Sequence, residues 1–162
     1  MNNLSLIPAA TVLLIRDSDG GLQVLMVKRS KRPPFENLYV FPGGKIDQSD
    51  KDQKLVNFSN TLDDKLASNK LGIDEGGLSY WVACIRECFE EVGVLLAKRN
   101  NGEELDLNGI EKQKFINYRK MLIDNQISFK EICQKERLIF RRDVQGSCIH
   151  SADDNCNYRN RN

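Results

Sequence analysis

The sequence predicts an α/β domain. Three observations point there: two β-type apolar runs on either side of a turn-rich segment, a short apolar strand running into Pro42-Gly43-Gly44, and one strongly amphipathic helix further along. Residues 11–15 are β-branched and leucine-rich, residues 17–21 are dense in turn formers, and residues 22–27 are apolar again, which predicts a hairpin. Lys28, Arg29, Lys31 and Arg32 form a basic cluster, and Pro33 and Pro34 after it require a loop. Residues 38–41 make a short strand that ends in the two glycines, and a strand delivering a glycine loop suits a phosphate site. Residues 45–80 are polar, with weak helical spacing through Leu55, Phe58, Leu62 and Leu66, and read as a partly helical insertion.

Over residues 81–92, the side chains Trp81, Cys84, Ile85, Cys88, Phe89 and Val92 recur every three or four positions, so one face of this helix is buried and Gly93 stops it. Residues 98–109 read as loop, residues 115–133 as two short helices broken near 125–128, and Leu138–Phe140 as a further strand. Residues 141–162 lose all periodicity and consist largely of Asp, Asn, Arg, Ser and Gly. A disordered tail is expected there, with the folded domain spanning 8–140.

Composition bounds the function. The chain has 162 residues, 40% hydrophobic and 29% charged, enough for one core of ordinary size. With 24 basic and 23 acidic residues the net charge is only +1, so no field of the whole molecule draws it to nucleic acid or an anionic membrane, and phosphate recognition must be local. Four cationic residues without interleaved aromatics make a poor nucleic-acid footprint. Five cysteines without a CxxC pair argue against a disulfide framework and a zinc ribbon, and for a reducing compartment. The N-terminal residues have no basic flank and contain Pro8, no apolar run approaches about 18 residues, and the first arginine is Arg16. Neither a signal peptide, a membrane span nor an organellar address is expected.

The chemistry concentrates on the amphipathic helix. At about 100° per residue, Glu87, Glu90 and Glu91 fall on one stripe opposite the apolar face. Like charges at helical spacing repel, and a hard divalent cation resolves the conflict, because Mg²⁺ and Mn²⁺ take oxygen ligands and bridge readily to phosphates. A solvated acidic face is the competing reading of the bare pattern.

The neighbouring residues decide between the two. Arg86-Glu87-Cys88-Phe89-Glu90-Glu91-Val92-Gly93-Val94 resembles, position for position, the second half of the box that marks Nudix hydrolases, and Phe41-Pro42-Gly43-Gly44 resembles the loop that leads into its first half. The resemblance implies an α/β/α sandwich around a mixed sheet. It also implies a metal, Mg²⁺ or Mn²⁺, held by Glu87, Glu90, Glu91 and the carbonyl of Gly44; Arg86 orienting Glu87; and one glutamate, Glu87 or Glu90, serving as base for the attacking water.

The box departs from the usual spacing. It normally carries a glutamate six residues after the glycine and eight before the arginine; here those positions are Asp50 and Leu78. An insertion of about 28 residues, within 47–79, has opened it, leaving Asp50 as the candidate for the missing acid. An interrupted box is similar to that of the animal peroxisomal coenzyme A diphosphatases, as are the stretches 24–30 and 83–96. The implied reaction splits the diphosphate of coenzyme A or an acyl derivative into adenosine 3′,5′-bisphosphate and a 4′-phosphopantetheine. Peroxisomes or mitochondria are the implied compartments. Lys28, Arg29 and Gly43 would then face the substrate phosphates, against the plain reading of a solvated basic loop.

Cys84 and Cys88 read as small core residues, Trp81 as a core anchor, and His150 is assigned no role. Such folds add further strands and a closing helix after the catalytic helix, so the chain is expected to be incomplete on its C-terminal side. Glu131 and Glu136 are available as a further acid, but nothing in the sequence places them at the site. Two rival expectations stand beside the coenzyme A reading: hydrolysis of another nucleoside diphosphate derivative, and an inactive fragment that binds metal or ligand.

Overall fold

The computed structural model describes residues 7–28, 38–141 and 147–151, the last five as backbone. Strand β1 (Ile7–Thr11) is the middle of a three-stranded sheet, between β6 (Gly43–Lys45) and β9 (Ser147–Ser151). In the β1–β6 register Ala10 faces Gly44 and Thr11 faces Gly43, and backbone bonds from Val12 to Pro42 and from Ile46 to Pro8, each 3.0 Å, extend the pairing at both ends. The glycine loop is thus fastened to a central strand.

The expected hairpin is present. β2 (Ile15–Arg16) pairs with β3 (Gln23–Val24), and Ser18 and Gly21 close the turn through reciprocal backbone bonds of 3.2 and 2.9 Å. β4 (Val27–Lys28) pairs with β5 (Tyr39–Val40), which leads into the glycines as anticipated. Every ladder among the described residues is antiparallel. The mixed sheet implied by the resemblance therefore finds no parallel pair here, and β1, with a partner on each edge, has no edge left to offer one.

The insertion folds into two 3₁₀ turns, Gln48–Lys51 and Gln53–Phe58, and helix α1 (Asp64–Leu71), then hands over to α2 (Gly77–Val92). The long helix starts four residues earlier than the apolar spacing predicts, because its cap is not local. The Asp64 carboxylate accepts the backbone N–H groups of Gly76 and Leu78 at 2.9 Å, and Ser68 Oγ accepts that of Gly77 at 2.9 Å. These are donors that a helix start leaves orphaned, and a neighbouring helix satisfies them.

α2 is buried on both flanks. Trp81, Val82, Ile85 and Phe89 pack with Leu55 and Ala67 of the insertion, with Phe115 of α3 (Lys112–Ile123), Ile132 of α4 (Phe129–Lys135), and Leu138 and Phe140 of β8 (Leu138–Phe140). Tyr80, Ala83, Cys84 and Cys88 pack against Ala10 and Val12 on the β1 side. The two cysteines are core residues, as their positions predicted, and burial pushes the Cys88 thiol up to about 12.

Two expectations are corrected. Lys98 and Arg99, read as the start of a loop, belong with Ala97 to strand β7 (Ala97–Arg99), which pairs with β8; the Lys-Arg sequence looks polar, but Ala97 is buried and the partner strand is apolar. Within the segment read as a disordered tail, Ser147–Ser151 forms β9 along the full length of β1, since a ready strand edge outweighs weak local propensity. The remaining positions of that segment from 142 onward lie outside the described residues.

Candidate active site

The glycine loop and the second half of α2 meet at the Arg86 side chain. Arg86 is only 3% exposed, a burial that disfavours its charge, yet acceptors surround it. Its Nε and Nη2 donate to Asp50 Oδ1 and Oδ2 at 2.9 and 2.8 Å, a bidentate pair. Nη2 also donates to the Lys45 carbonyl at 3.0 Å, and Nη1 donates to Glu87 Oε1 at 2.8 Å and to Glu90 Oε1 at 3.3 Å. Asp47 Oδ2 lies 3.8 Å from Nη1. Burial would lower the guanidinium pKa, but Asp50 first, then Glu87 and Glu90, raise it above its ordinary value.

Asp50 is the acid that the box arithmetic left as a candidate. It is 3% exposed, and a 3₁₀ turn carries it inward, with its carboxylate also accepting the Asp47 N–H at 2.8 Å. Leu78, at the alternative position, is buried near the start of α2 and has no carboxylate to offer.

The stripe of three glutamates is divided between two holders. Glu87 and Glu90 turn toward Arg86, while Glu91 Oε2 accepts the Gly43 N–H at 3.0 Å. A side chain on Gly43 would strike the Ala10 carbonyl, and one on Gly44 would strike the Glu87 carboxylate, so both glycines permit a close approach. The pKa values of Glu87 and Glu90 are raised, chiefly by burial; Arg86 opposes the shift, and neighbouring carboxylates reinforce it. Four carboxylates, Asp47, Asp50, Glu87 and Glu90, thus share one guanidinium, with Glu91 beside them on the Gly43 N–H.

Of the residues singled out in the sequence, Arg86, Glu87, Glu90, Glu91, Gly43 and Gly44 come together. Lys28 lies exposed on β4, opposite Tyr39, and makes no ion pair with a described residue. Arg29, Lys31 and Arg32 lie outside the described residues. Glu131 closes a capping box at Ser128, and Glu136 is held by Arg99, Lys114 and Tyr118, so neither joins the carboxylates.

One contributor had no sequence signal. Arg119 of α3 donates to the backbone carbonyls of Glu90 and Glu91 at 2.8 and 3.0 Å, a cation at the C-terminal end of α2, where helix carbonyls lack partners. Nothing local to Arg119 announces a partner 28 residues away.

The fold is that of a Nudix hydrolase. A solved NUDIX hydrolase from Alicyclobacillus acidocaldarius superposes with a TM-score of 0.60 at 23% identity, covering 84% of this chain and 57% of that one. In sequence the chain is similar to the acyl-coenzyme A diphosphatase NUDT19 of Xenopus laevis, 28% identical over 142 residues that cover 71% of this chain and 37% of the relative. The chain therefore spans well under half the length of that protein. No family model matches it.

Proposed function

We propose that this chain is a divalent-metal-dependent hydrolase of the diphosphate bond of coenzyme A or acyl-coenzyme A, releasing adenosine 3′,5′-bisphosphate and a 4′-phosphopantetheine derivative. The observation that carries the reading is the excess of carboxylates around Arg86, drawn from one helix and from the 3₁₀ turn that follows the glycine loop. The likeness to a relative named for acyl-coenzyme A cleavage supplies the substrate.

The donor set suits Mg²⁺ or Mn²⁺: it is all oxygen, and one guanidinium leaves formal negative charge in excess. Among the described residues no three acidic, histidine or cysteine side chains converge on a single point, because Arg86 and the Gly43 N–H hold the glutamate ends apart. Glu87, Glu90 and Glu91 with the Gly44 carbonyl would hold the ion after small side-chain rotations. When bound, it supplies Lewis-acid polarisation of the phosphoryl oxygens.

The remaining work falls to the chain. Glu87 or Glu90, with its basicity increased by burial, accepts a proton from the attacking water. The water oxygen bonds to one phosphorus, the P–O bond to the bridging oxygen breaks, and that oxygen departs on the other phosphate. Arg86 keeps Glu87 in place. Lys28 and Arg29 would meet the outer phosphates. Placement in peroxisomes or mitochondria belongs to the same reading, and subcellular fractionation checks it. No helix among the described residues is long and apolar enough to cross a membrane.

The test is cleavage of coenzyme A by the purified chain with Mg²⁺ or Mn²⁺, beside Glu90→Gln/Glu91→Gln. Turnover lost in the variant supports the site. A folded chain that cleaves a sugar nucleotide but not coenzyme A moves the substrate, and one that binds Mn²⁺ without any turnover is an inactive binding fragment.

A further inference from the structure

Beside the carboxylates lies a half-open cleft of about 640 Å³ that the reaction as described does not use. The insertion forms one wall through Gln53 and Val56, Pro8 and Ile46 come from the sheet side, and Leu78 and Ser79 from the first turn of α2. It adjoins the candidate site because Asp50, which grips Arg86, lies in its lining, and Ile46 follows the carbonyl that Arg86 also holds. Along α2 its far end, Leu78, is nine residues from Glu87, roughly 14 Å at the helical rise.

The lining rejects phosphate. It carries four carboxylates, Asp50, Asp52, Asp64 and Glu75, against one lysine, Lys51. A helix N-terminus usually attracts anions, but that of α2 opens here already occupied: Asp64 and Ser68 take the N–H groups of Gly76, Gly77 and Leu78. What remains is an apolar floor of Pro8, Ile46, Val56 and Leu78, with the Gln53 amide and the Ser79 hydroxyl as neutral polar groups.

We propose that this cleft receives the uncharged, flexible arm of the substrate, an amide-containing chain with an apolar end, while its diphosphate lies at the glutamates. On the reading of the preceding subsection, which this deepens, the arm is the pantetheine portion, and the insertion that interrupts the box is a specificity element. The phosphorylated nucleoside end then points away from the cleft.

The experiment titrates the 162-residue chain with pantetheine, which has no diphosphate, and follows backbone amide shifts by NMR. Saturable shifts at Val56, Leu78 and Ser79 are expected, weakened at least tenfold in Val56→Trp, which fills the cleft, and retained in the near-isosteric Val56→Thr. Val56 is half-exposed on a 3₁₀ turn, so a dispersed spectrum of the tryptophan variant separates a filled cleft from a lost fold. No shifts at these residues, or shifts there caused instead by adenosine 3′,5′-bisphosphate, would overturn the assignment. Coenzyme A turnover is measured in the same samples. Pantetheine binding without turnover upholds the cleft and removes the diphosphatase reading, whereas turnover without pantetheine shifts removes the cleft and leaves the chemistry.

Discussion

Arg86 and Asp50 face each other across 36 residues of sequence through two parallel hydrogen bonds of 2.9 and 2.8 Å, both side chains shut off from solvent. Arg86 sits in the second half of an interrupted box and Asp50 where the first half would end, so this contact rejoins what the insertion separates. Removing one member of a buried ion pair strands the other. Asp50→Asn should therefore cost about 3 kcal/mol in urea unfolding, with Asp50→Glu losing less because it keeps the charge. An Asp50→Asn chain as stable as wild type would mean that the Lys45 carbonyl and Glu87 suffice for Arg86.

Two glycines that look alike in sequence should separate stability from activity. The nearest atoms that a methyl at Gly44 meets are those of the Glu87 carboxylate, the end of a side chain that can swing aside. Gly44→Ala should leave the melting temperature nearly unchanged yet reduce turnover by at least tenfold, since Glu87 is pushed off Arg86. A methyl at Gly77 meets the backbone of Ala67 and Ser68 in the neighbouring helix, which cannot yield in the same way. Gly77→Ala should cost about 2 kcal/mol, as overpacking at a tight contact does. Thermal unfolding alongside kcat for both variants checks the contrast.

Without a bound cation, the clustered glutamates should make the chain less stable at neutral pH than it need be. Burial, and then repulsion from Glu90 and Glu91 on Glu87 and from Asp47 and Asp50 on Glu90, raise the pKa values of Glu87 and Glu90 above 4.5. A carboxyl with a raised folded value adds stability below its unfolded value, and that stability is lost as pH rises through the folded value. In a chelator at pH 7.5, Glu90→Gln should be at least as stable as wild type, with the difference shrinking toward pH 4.5. Mn²⁺ at 100 times its Kd should then stabilise the wild type by about 2.7 kcal/mol and reverse the order. Equal stabilisation of the variant would remove Glu90 from the ion's ligands.

Much of the candidate site was legible in the sequence because it is local: Glu87, Glu90 and Glu91 share one stripe by helical periodicity alone, Arg86 adjoins Glu87 in the chain, and Gly43 and Gly44 follow a readable strand. Asp50 was reachable by spacing, not by burial. What stayed hidden is tertiary. The start of α2 is set by Asp64 and Ser68 on another helix, its end is held by Arg119, and β9 forms in polar sequence because β1 offers an edge. Periodicity reports which face of an element is apolar, and none of these three contacts changes a face.

Glu136 supplies a second electrostatic test, away from the site. It is nearly buried between α3, β7 and β8, and accepts from Lys114 Nζ at 2.7 Å, from Tyr118 Oη at 3.0 Å and from Arg99 Nη1 at 3.1 Å. Burial works against its charge, but the bonds from Lys114, Tyr118 and Arg99 outweigh it and hold the carboxyl below 4.5. A depressed folded value adds stability above the unfolded value, and that stability is lost as pH falls through the folded one. Glu136→Gln should therefore cost about 2 kcal/mol at pH 7, in the range of hydrogen bonds to charged groups, with the deficit narrowing as pH drops below about 4.5. Lys114 and Arg99 are partly solvated, which keeps the figure below that for a fully buried pair. Urea midpoints of both chains from pH 3.5 to 7.5 decide it: a deficit that persists unchanged into acid would show that Glu136 acts through packing, since loss of its charge would then make no difference.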